Sequence, residues 1–487
     1  MTTALILLPL AAALVVWLLP LPGRAAGALA LVAALAEIVL WVVALFRFDF
    51  QQSLQLVDRQ SWFSDLNVSY HVGFYGFSFW LAGLTVVVCT AAIGYAVWAN
   101  RERARAYYGL MLFLLGAIVG VFTAQDLLLF YVFFEAMLIP LYVLIGVWGG
   151  PRRLRATATF VIYTMAGSLL MLASIIAFGI SQGTFDLVES GVSDNAWIFL
   201  GFVAAFAVKA PLFPFHGWLV EAYRESPPEV AAILSGVVSK AAVYGLLRIA
   251  IVKFDVDVVV DVQSTILALA TIGLVYGSLL AFRARDVRTV TAYSSMAQMG
   301  LIVIGLFSMD ERGLLNELGV NGAILQSVAH GLISATLFLL AGMLEQRAGT
   351  STFADLGGLA RGRPALATIL LTTGVIALAV PGSVAFAGEF LILAGIYGVG
   401  WGWAAVGAGA IVLAAMYMLR LISGVLHWRR GPAVTETARD LRPVELALLV
   451  PLVGLLLFLS AWPASVTERS FPIPPREEAA QAEAEAP

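Results

Sequence analysis

The chain has 487 residues, of which 61% are hydrophobic and 12% are charged. A soluble domain is about half apolar and about a quarter charged, so this composition excludes an ordinary soluble protein and indicates an integral membrane protein. The formal net charge of −3 gives no sign of nucleic-acid binding. Because Cys89 is the single cysteine, disulfides, thiolate metal sites and iron–sulfur clusters within the chain are excluded.

Apolar runs long enough to cross a bilayer, about 20 residues each, recur along the whole chain. The sequence contains fourteen of them, at 3–20, 26–46, 77–97, 108–122, 125–148, 157–181, 197–222, 229–251, 263–282, 289–307, 319–343, 364–397, 402–427 and 443–462. The first lacks a basic segment before it and is predicted to be a retained helix rather than a cleaved signal. No soluble domain of useful size fits between the runs, and the longest connection, 47–76, is polar and aromatic. The prediction is therefore an all-α membrane protein of about 14 transmembrane helices.

Eighteen of the 25 arginines lie in the odd-numbered connections between these runs. Their positions there are Arg24, Arg101, Arg103, Arg105, Arg152, Arg153, Arg155, Arg224, Arg283, Arg285, Arg288, Arg347, Arg361, Arg363, Arg429, Arg430, Arg439 and Arg442. The even connections are often acidic, so the positive-inside rule places the odd connections in the cytoplasm. With fourteen helices, both termini are then expected on the outer side. The tail 476–487 is rich in Glu, Ala and Pro and is predicted to be disordered.

The seventh and twelfth runs contain internal prolines and are predicted to be discontinuous helices. Lys209 lies one turn from Pro211 and Pro214, and Glu389 follows Pro381. Discontinuous helices at corresponding positions of two inverted repeats mark ion sites in transporters. Two five-helix repeats, helices 4–8 and 9–13, would place these two helices in equivalent positions. The alternative is that the prolines only kink the helices.

This repeat hypothesis divides the chain into four parts. They are N-terminal helices 1–3 at 1–107, a first repeat at 108–252, a second repeat at 263–427, and a final helix with the tail at 443–487. Each repeat would contain one of the two discontinuous helices.

Five ionisable residues stand alone in apolar runs: Glu135, Lys209, Lys240, His330 and Glu389. A charge at the bilayer centre costs at least ~2.5–3.5 kcal/mol, and the usual reason for retaining one is an ion pathway or a proton relay. A buried lysine can release its proton, whereas arginine stays charged. A glutamate and a lysine that separate and re-form a pair are therefore a physical device for loading and releasing protons. The third lysine, Lys253, lies at a helix exit and is predicted to be a solvated anchor.

Each of these residues also has a purely structural interpretation. Glu135 and Lys209 could form a static ion pair that fixes helix register. Lys240 could bind a helix C-terminus and do nothing more. His330, between small residues, could be a polar residue that bonds across helices. Glu389 lies near a helix break and could be a helix cap.

A secondary candidate is His216, near the cytoplasmic end of the seventh predicted helix. A histidine there could relay protons to the cytoplasmic surface. It could equally be a polar residue at the membrane interface. The sequence leaves both interpretations open.

Six segments, in this order, resemble the antiporter-like subunits of respiratory complex I, the proton-translocating NADH:quinone oxidoreductase. They are LLLFYVFFEAMLIPLY with Glu135, KAPLFPFHGWL with Lys209, LSGVVSKAAVYGLLR with Lys240, DVRTVTAYSSMAQMG at 286–300, VAHGLIS with His330, and PGSVAFAGEF with Glu389. The resemblance covers about residues 70–465. It is strongest to the M type, because only a short tail follows the last helix and the twelfth helix carries a glutamate where the L and N types usually carry lysine.

The resemblance implies a mechanism for the five buried residues. Glu135 and Lys209 would be a switching pair near the membrane midplane, and Lys240 would link two half-channels. His330 and internal water would pass the proton toward Glu389, which would serve the outer half-channel.

The resemblance also implies a setting for the chain. The partners would be neighbouring L-type and N-type membrane subunits in the inner membrane of a bacterium, together with lipid, protons and internal water. Redox energy would arrive from other subunits, so this chain would be part of a translocase without performing redox chemistry itself. No cofactor or metal is expected on it, and no nicotinamide, flavin or quinone site is recognisable.

The chain departs from the family pattern at four positions. Tyr223 and Gln298 replace two usual histidines, Thr159 replaces a lysine of the sixth helix, and Tyr75 replaces an acidic residue. A proton path here would depend more on ordered water. The segment 221–228 also leans toward Mrp-type sodium/proton antiporters.

Two alternative functions therefore stay open at this stage. One is a subunit of an Mrp-type antiporter or of a membrane-bound hydrogenase. The other, from a different class, is a static membrane scaffold that translocates nothing. An autonomous solute transporter is disfavoured, because the buried residues offer lone titratable groups and no evident pocket for an organic substrate.

Overall fold

A computed structural model describes residues 1–310, 312–435 and 439–471. Helices make up most of it: α1 Thr2–Leu18, α2 Gly23–Leu45, α3 Gly76–Trp98, α4 Ala104–Thr123, α5 Leu127–Trp148, α6 Arg153–Gln182, α7 Ala196–Lys209, α8 Leu219–Glu225, α9 Pro228–Ile251, α10 Val256–Arg283, α11 Val287–Leu306, α12 Glu317–Ala348, α13 Pro364–Ala377, α14 Val384–Tyr397, α15 Trp401–Leu426, α16 Pro443–Ala461 and α17 Ala464–Thr467. The predicted disordered tail, 476–487, lies outside the described residues.

Eleven helices of the described part are long and apolar enough to cross a membrane, and the all-α membrane fold is thereby confirmed. They are α2, α3, α4, α5, α6, α9, α10, α11, α12, α15 and α16. Four shorter apolar helices, α1, α7, α13 and α14, occupy the first, seventh and twelfth predicted runs. Every predicted run thus contains a helix, while fourteen crossings and two repeats stay predictions.

Many of the helices begin at a side chain that accepts hydrogen bonds from the first backbone amides. Asp126 caps α5, Asn195 caps α7, Asp286 caps α11 and Asn316 caps α12 in this way. Such caps satisfy donors that would otherwise be left without partners inside the protein. These short polar residues therefore define where the apolar segments start.

A two-stranded antiparallel sheet, which the sequence analysis did not predict, lies between α2 and α3. Strand β1 is Gln55–Phe63 and β2 is Val68–Phe74. The turn between them places Asn67 at φ +52°, a left-handed conformation that Asn tolerates better than most residues. The Ser69 amide donates to Asp126 at 3.1 Å, and His71 Nδ1 lies 2.7 Å from Asp186 Oδ2. The hairpin is therefore fastened to the start of α5 and to the connection that follows α6.

The connections gather at two ends of the helix bundle. At the arginine-rich end, formed by segments 99–103, 149–152, 226–227, 284–286 and 349–363, Arg101 pairs with Glu229 and Arg288 pairs with Glu345, both at 2.7 Å. The hairpin end comprises β1, β2 and segments 183–195, 252–255 and 307–316. There Ser193 and Phe254 form a β-bridge, and the N-terminal amine lies 3.1 Å from Asp58.

Two helices, α9 and α12, are buried throughout their apolar stretches of 18 residues and form the centre of the bundle. They approach closely: a β-carbon on Gly331 would lie 2.6 Å from the carbonyl oxygen of Gly236, so both positions require glycine. Helix α9 also contains two π-helical turns, Leu234–Val238 and Leu246–Ile251. Such turns are rare and are frequent at functional sites.

Both predicted helix breaks are present. Helix α7 ends at Lys209 and α8 begins at Leu219, while α13 ends at Ala377 and α14 begins at Val384. The two charged residues are not placed alike, because Lys209 is the last residue before its break and Glu389 lies inside the helix that follows its break. The equivalence predicted for them therefore does not extend to their positions relative to the breaks.

Candidate functional site: a line of buried ionisable residues

Lys240 lies at the centre of the bundle and is completely buried. Its ammonium nitrogen is 2.8 Å from the carbonyl oxygen of Ser235, 3.3 Å from Ser239 Oγ and 2.7 Å from His330 Nδ1. An ammonium group has three donors, so these three contacts satisfy it completely. The structure therefore joins two of the predicted site residues, Lys240 on α9 and His330 on α12, by a direct hydrogen bond.

The contact with Lys240 fixes the roles of the two ring nitrogens of His330. When Lys240 is protonated, Nδ1 of a neutral His330 accepts the hydrogen bond and Nε2 carries the hydrogen. Nε2 has no hydrogen-bond partner among the described residues. The ring thus contacts Lys240 through Nδ1, while Nε2 makes no contact with the lysine. His330 does bond across helices, as its structural interpretation proposed, but its partner is itself titratable.

His330 borders a small cavity that Glu389 also lines. The cavity has a volume of about 20 Å³, and Gln298, Gln326 and Tyr417 are among its other lining residues. A cavity of this size with several polar partners has room for one water molecule. Glu389 Oε2, like His330 Nε2, has no hydrogen-bond partner in the described part of the chain. Two titratable side chains, each with one atom that lacks a partner, therefore line one water-sized space.

The other carboxylate oxygen of Glu389 is held by amides. Gln298 Nε2 donates to Glu389 Oε1 at 2.9 Å, and Gln326 Nε2 lies 2.7 Å from Gln298 Oε1 and 3.4 Å from Glu389 Oε1. The helix-cap interpretation of Glu389 is wrong, because Ser383 caps α14 by accepting from the Phe386 amide at 3.2 Å. Gln298 thus takes part in the site directly.

Glu135 and Lys209 form a looser arrangement. Lys209 is buried, and its ammonium nitrogen lies 4.7 Å from the ring centroid of Phe134, a cation–π contact. Glu135 is only half-buried, next to the interruption of α5 at Met137. Among the ion pairs of the described residues none joins Glu135 to Lys209, so the static-pair interpretation does not hold. Lys209 nevertheless lies beside the ring of Phe134, the residue that precedes Glu135 in the chain.

His216 lies in the break between α7 and α8. Its ring is half-buried beside Phe213 and Tyr276, with ring centroids 5.7 and 5.4 Å away. Its Nδ1 has no hydrogen-bond partner within the described segments. The structure therefore does not connect it to the line that contains Lys240.

One sequence-based expectation about lysine is wrong. Lys253, predicted to be a solvated anchor, is only 7% exposed, and its ammonium donates to the Ser190 carbonyl at 2.7 Å. The connection 183–195 covers it. Its position at a helix exit gave no sign of this cover, because the covering residues are distant in sequence.

The sequence analysis also passed over a buried carboxylate, Glu37 in α2. It is completely buried, and neither of its oxygens has a hydrogen-bond partner in the ranges that the structure describes. A lone acid within the apolar run 26–46 was the available signal. Gln326 was missed as well, and its signal was an amide among apolar residues of α12, five residues after Asn321.

Comparison with known proteins gives a consistent result. The family described as "NADH:quinone oxidoreductase/Mrp antiporter, TM" matches residues 124–415. The NADH-quinone oxidoreductase subunit M of Rickettsia prowazekii is 33% identical over 473 residues, 95% of each chain. The subunit M of Rhodobacter capsulatus is 34% identical over 486 residues, 95% of this chain and 93% of that protein.

Two solved structures are also similar. A chain of the respiratory complex I from Thermus thermophilus with bound NADH superposes with a TM-score of 0.87 at 30% identity, covering 96% of this chain and 97% of that one. A chain of the Mrp complex from a Dietzia species gives a TM-score of 0.84 at 22% identity, covering 96% of both. The second likeness concerns the fold alone.

Proposed function

The chain belongs to the NADH:quinone oxidoreductase/Mrp antiporter family of membrane subunits, and on that premise we propose that it is the proton-translocating, M-type subunit of an NADH:quinone oxidoreductase. It is a multi-pass protein of the bacterial inner membrane. Electron transfer from NADH to quinone takes place in other subunits, and this chain moves protons in response. The single observation that carries the proposal is the line Lys240–His330–cavity–Glu389.

The first proposed step moves a proton along this line. A proton held by Lys240 passes to His330 Nδ1 across the 2.7 Å hydrogen bond, and the ring releases its Nε2 proton into the cavity. Glu389, which lines the same cavity and whose Oε2 has no hydrogen-bond partner in the described residues, takes it up. Lys240 ends with one proton fewer and Glu389 with one more, while His330 gains one and loses one, so no charge is stranded at an intermediate position.

The second proposed step uses the looser pair as a switch. An anionic Glu135 close to Lys209 favours the charged lysine, and separation of the two favours its release of a proton. The pair is already separated in the structure, with Lys209 directed at Phe134. Because α7 ends at Lys209, we expect the shift that separates or rejoins the pair to take place in the break rather than within the helix.

We further propose the topology predicted from sequence: fourteen crossings, two repeats of five helices at 108–252 and 263–427, and both termini on the outer side. Support comes from the two ends of the bundle. Arg101 and Arg288 lie at the arginine-rich end, while the N-terminal amine contacts Asp58 at the hairpin end. The positive-inside rule then places the hairpin outside.

Neighbouring membrane subunits are the proposed partners. Helix α6 exposes large apolar side chains along its length, with Leu154, Ile162 and Ile180 each at least 67% exposed, and Trp197 at the start of α7 is 83% exposed. Lipid or other membrane subunits can cover such a face.

The alternative of an Mrp-type subunit is weaker. The likeness to the Dietzia complex concerns the fold only, whereas the relatives at 33–34% identity are named as subunit M. The scaffold alternative predicts that no buried charge matters to proton transfer.

Substitution of the buried charges in the assembled complex tests the proposal. In proteoliposomes supplied with NADH and quinone, Glu135→Gln, Lys209→Met and Glu389→Gln should each lower proton uptake by about tenfold or more, because each removes a proton carrier. The matched control is Glu189→Gln, which changes a half-exposed carboxylate of the hairpin end. Full proton uptake and quinone reduction in all three variants would establish the scaffold alternative instead.

A further inference from the structure

An open cleft at the arginine-rich end is formed by the last turns of α10 and α15 and by the connections that follow α12 and α15. Its volume is about 940 Å³, within the range of about 300–1,000 Å³ that is usual for ligand sites. Three arginines line it: Arg420 in α15, and Arg429 and Arg430 just after that helix. No described residue in its lining is acidic. We call this site the arginine cleft.

The positive charge of the arginine cleft is not balanced in the way that other arginines at this end are. Arg101 and Arg288, which line the other large cleft of the arginine-rich end, each pair with a glutamate at 2.7 Å. In contrast, neither Arg420 nor Arg429 forms an ion pair with a described residue. The arginine cleft therefore presents positive charge to whatever enters it.

Arg420 is held with its guanidinium group at the cleft. It lies six residues before the end of α15, about 9 Å along the axis at 1.5 Å per residue. Its guanidinium carbon is 5.7 Å from the ring centroid of Phe282 and 5.8 Å from that of Phe353, and the group donates to the Phe282 carbonyl oxygen. A guanidinium group has five donors, so most of them remain for an anion. Donors in this planar arrangement match the oxygens of a phosphate group.

An exposed apolar strip leads away from the arginine cleft on each of the two helices that border it. Helices α10 and α15 pack side by side, and both run from the hairpin end to the arginine-rich end. The exposed side chains recur at spacings of three, four or seven residues, so each set lies on one face of its helix. Each is at least 37% exposed, and they are Ile272, Leu279 and Phe282 on α10 and Val412, Met416 and Leu419 on α15. A charged cleft near the helix ends is thus continuous with an apolar surface that extends toward the middle of the bundle.

Trp428 lines the arginine cleft just beyond the end of α15. Its side chain is 77% exposed, and its φ of +69° is a left-handed conformation that a bulky residue rarely adopts. Such backbone outliers cluster at ligand sites. Tryptophan is also enriched where a membrane meets water, with its ring at the level of the lipid head groups. Trp428 therefore indicates that the cleft lies at head-group depth.

We propose that the arginine cleft binds the phosphate head group of an anionic phospholipid, whose acyl chains lie along the two apolar strips. The lipid belongs to the leaflet at the arginine-rich end, which is the cytoplasmic leaflet in the proposed topology. Basic pockets between helices on this side of a membrane attract anionic head groups. A zwitterionic lipid is disfavoured, because its cationic group would meet three arginines and no acidic residue of the described lining. The inference goes beyond the proposed function and does not rest on it, since it requires only that the chain lies in a membrane.

Two other occupants would each match only part of this site. Inorganic phosphate would pair with the arginines but would leave both apolar strips uncovered. A helix of a neighbouring subunit would cover the strips, but it would need acidic residues within a membrane segment to pair with Arg420, and such residues are costly there. An anionic phospholipid matches the charged cleft and the apolar strips together.

The test uses the assembled complex in phosphatidylcholine vesicles that contain phosphatidylglycerol with a photoactivatable diazirine on an acyl chain. After illumination, mass spectrometry of peptides should find the label in segments 272–282 and 412–419. The double variant Arg420→Gln with Arg429→Gln should lower this labelling by about tenfold or more, because two of the charges that attract the head group are lost. Phosphatidylcholine that carries the same diazirine should label the variant and the unaltered complex equally.

A matched control removes two arginines from the same end of the bundle but outside the cleft. Arg24→Gln with Arg155→Gln changes exposed residues at the starts of α2 and α6, and the labelling should stay unchanged. An equal loss in both double variants would show attraction to the surface charge as a whole and would refute the site. Inorganic phosphate at about 10 mM should also leave the label in place, because it lacks the acyl chains that add to membrane binding. Displacement by phosphate would identify a site for the free anion and overturn the proposal.

Two further measurements keep the proposal open to refutation if the double variant does not assemble. Arg429→Gln alone changes an exposed residue beyond the end of α15, and it should lower the labelling about fivefold. Unchanged labelling in this variant would contradict the proposal. A photoreactive amino acid in place of Leu419 should capture phospholipid. Its capture of another subunit instead would show that protein covers the strip, and the lipid site would be wrong.

Discussion

The two broken helices hold their charged residues in opposite ways. In the first, Lys209 lies at the end of α7 with its ammonium against the Phe134 ring, and Glu135 is half-buried without an ion pair to it. In the second, Glu389 is fully buried within α14 and is fastened through Gln298. One region leaves its charges free to change partners, whereas the other fixes a carboxylate at a defined place.

This difference follows from the local sequence. Lys209 directly precedes a break that contains Pro211 and Pro214, so the helix does not continue beyond it. Glu389 lies six residues beyond Ser383, which caps α14, and it faces amides from two neighbouring helices. A switch needs two accessible arrangements of similar free energy, and a terminal acceptor needs one stable geometry. The first region fits the switch and the second fits the acceptor.

The largest expected loss of stability comes from breaking the fixed region. Gln298→Leu keeps the approximate size of the side chain but removes the donor to Glu389, so we expect the free energy of unfolding to fall by about 1–3 kcal/mol. Thermal dissociation of the assembled complex, followed on native gels, measures the effect. The same change at the exposed Gln346 is the control, and equal effects at both sites would contradict the account.

A double-substitution cycle compares the two regions directly. Because no ion pair joins Glu135 and Lys209, their coupling in thermal stability should stay below about 1 kcal/mol. The cycle for Glu389→Leu and Gln298→Leu should give a larger coupling. If the coupling between Glu135 and Lys209 were larger than that between Glu389 and Gln298, the separated arrangement of Glu135 and Lys209 would not be the stable one.

The hairpin is fastened to Asp126 at the start of α5 and to Asp186 in the connection after α6, and this should depend on pH. Burial by itself would raise the pKa of Asp186, but the hydrogen bonds from His71 and from the Val188 and Glu189 amides together bring that pKa below its usual value. A carboxyl group with a lowered pKa stabilises the folded form above its unfolded pKa, and this stabilisation is lost as the pH falls through the folded value.

Hydrogen exchange of the hairpin amides measures that dependence. Protection of β2 should be constant from neutral pH down to about pH 4 and should then fall, after the intrinsic effect of pH on exchange is removed. Asp186→Asn should already reduce protection about tenfold at neutral pH, because the hydrogen bond to a charged acceptor is lost. Unchanged protection in this variant would show that the hairpin is held by other contacts.

The smallest effect is expected at Glu37. Its carboxyl group has no hydrogen-bond partner in the described residues and lies outside both regions, so Glu37→Gln should change thermal stability by less than about 0.5 kcal/mol. Proton uptake should equal that of the unaltered complex. A loss of uptake would mean that a third proton-binding position exists near the N-terminal helices.

The sequence predicted the positions of the site better than its contacts. Lys209, Lys240 and Glu389 were recognisable because each is the only charge in an apolar run, and the prolines marked both breaks. The bond from Lys240 to His330 was not predictable, because it depends on how α9 and α12 are rotated toward each other. The π-helical turns of α9 change that rotation and leave no mark in residue periodicity.

Two of the sequence-based predictions failed for the same reason, because each depends on contacts between residues far apart in the chain. Lys253 was assigned to solvent from its place at a helix exit, and the connection 183–195 covers it. The hairpin was missed because its contacts, such as His71 with Asp186, join residues far apart in the chain. The residue pattern within an apolar run indicates whether that run is buried. Whether a distant connection covers a residue can be seen only in the tertiary structure.

The central claim is that protons pass through Lys240, and one substitution tests it most directly. Lys240→Met keeps the length of the side chain and removes its only titratable group. In the assembled complex, with Lys253→Met as the control, we predict that proton uptake driven by NADH oxidation falls by about tenfold or more, while the complex still assembles. Full proton uptake by the Lys240→Met complex would contradict the account.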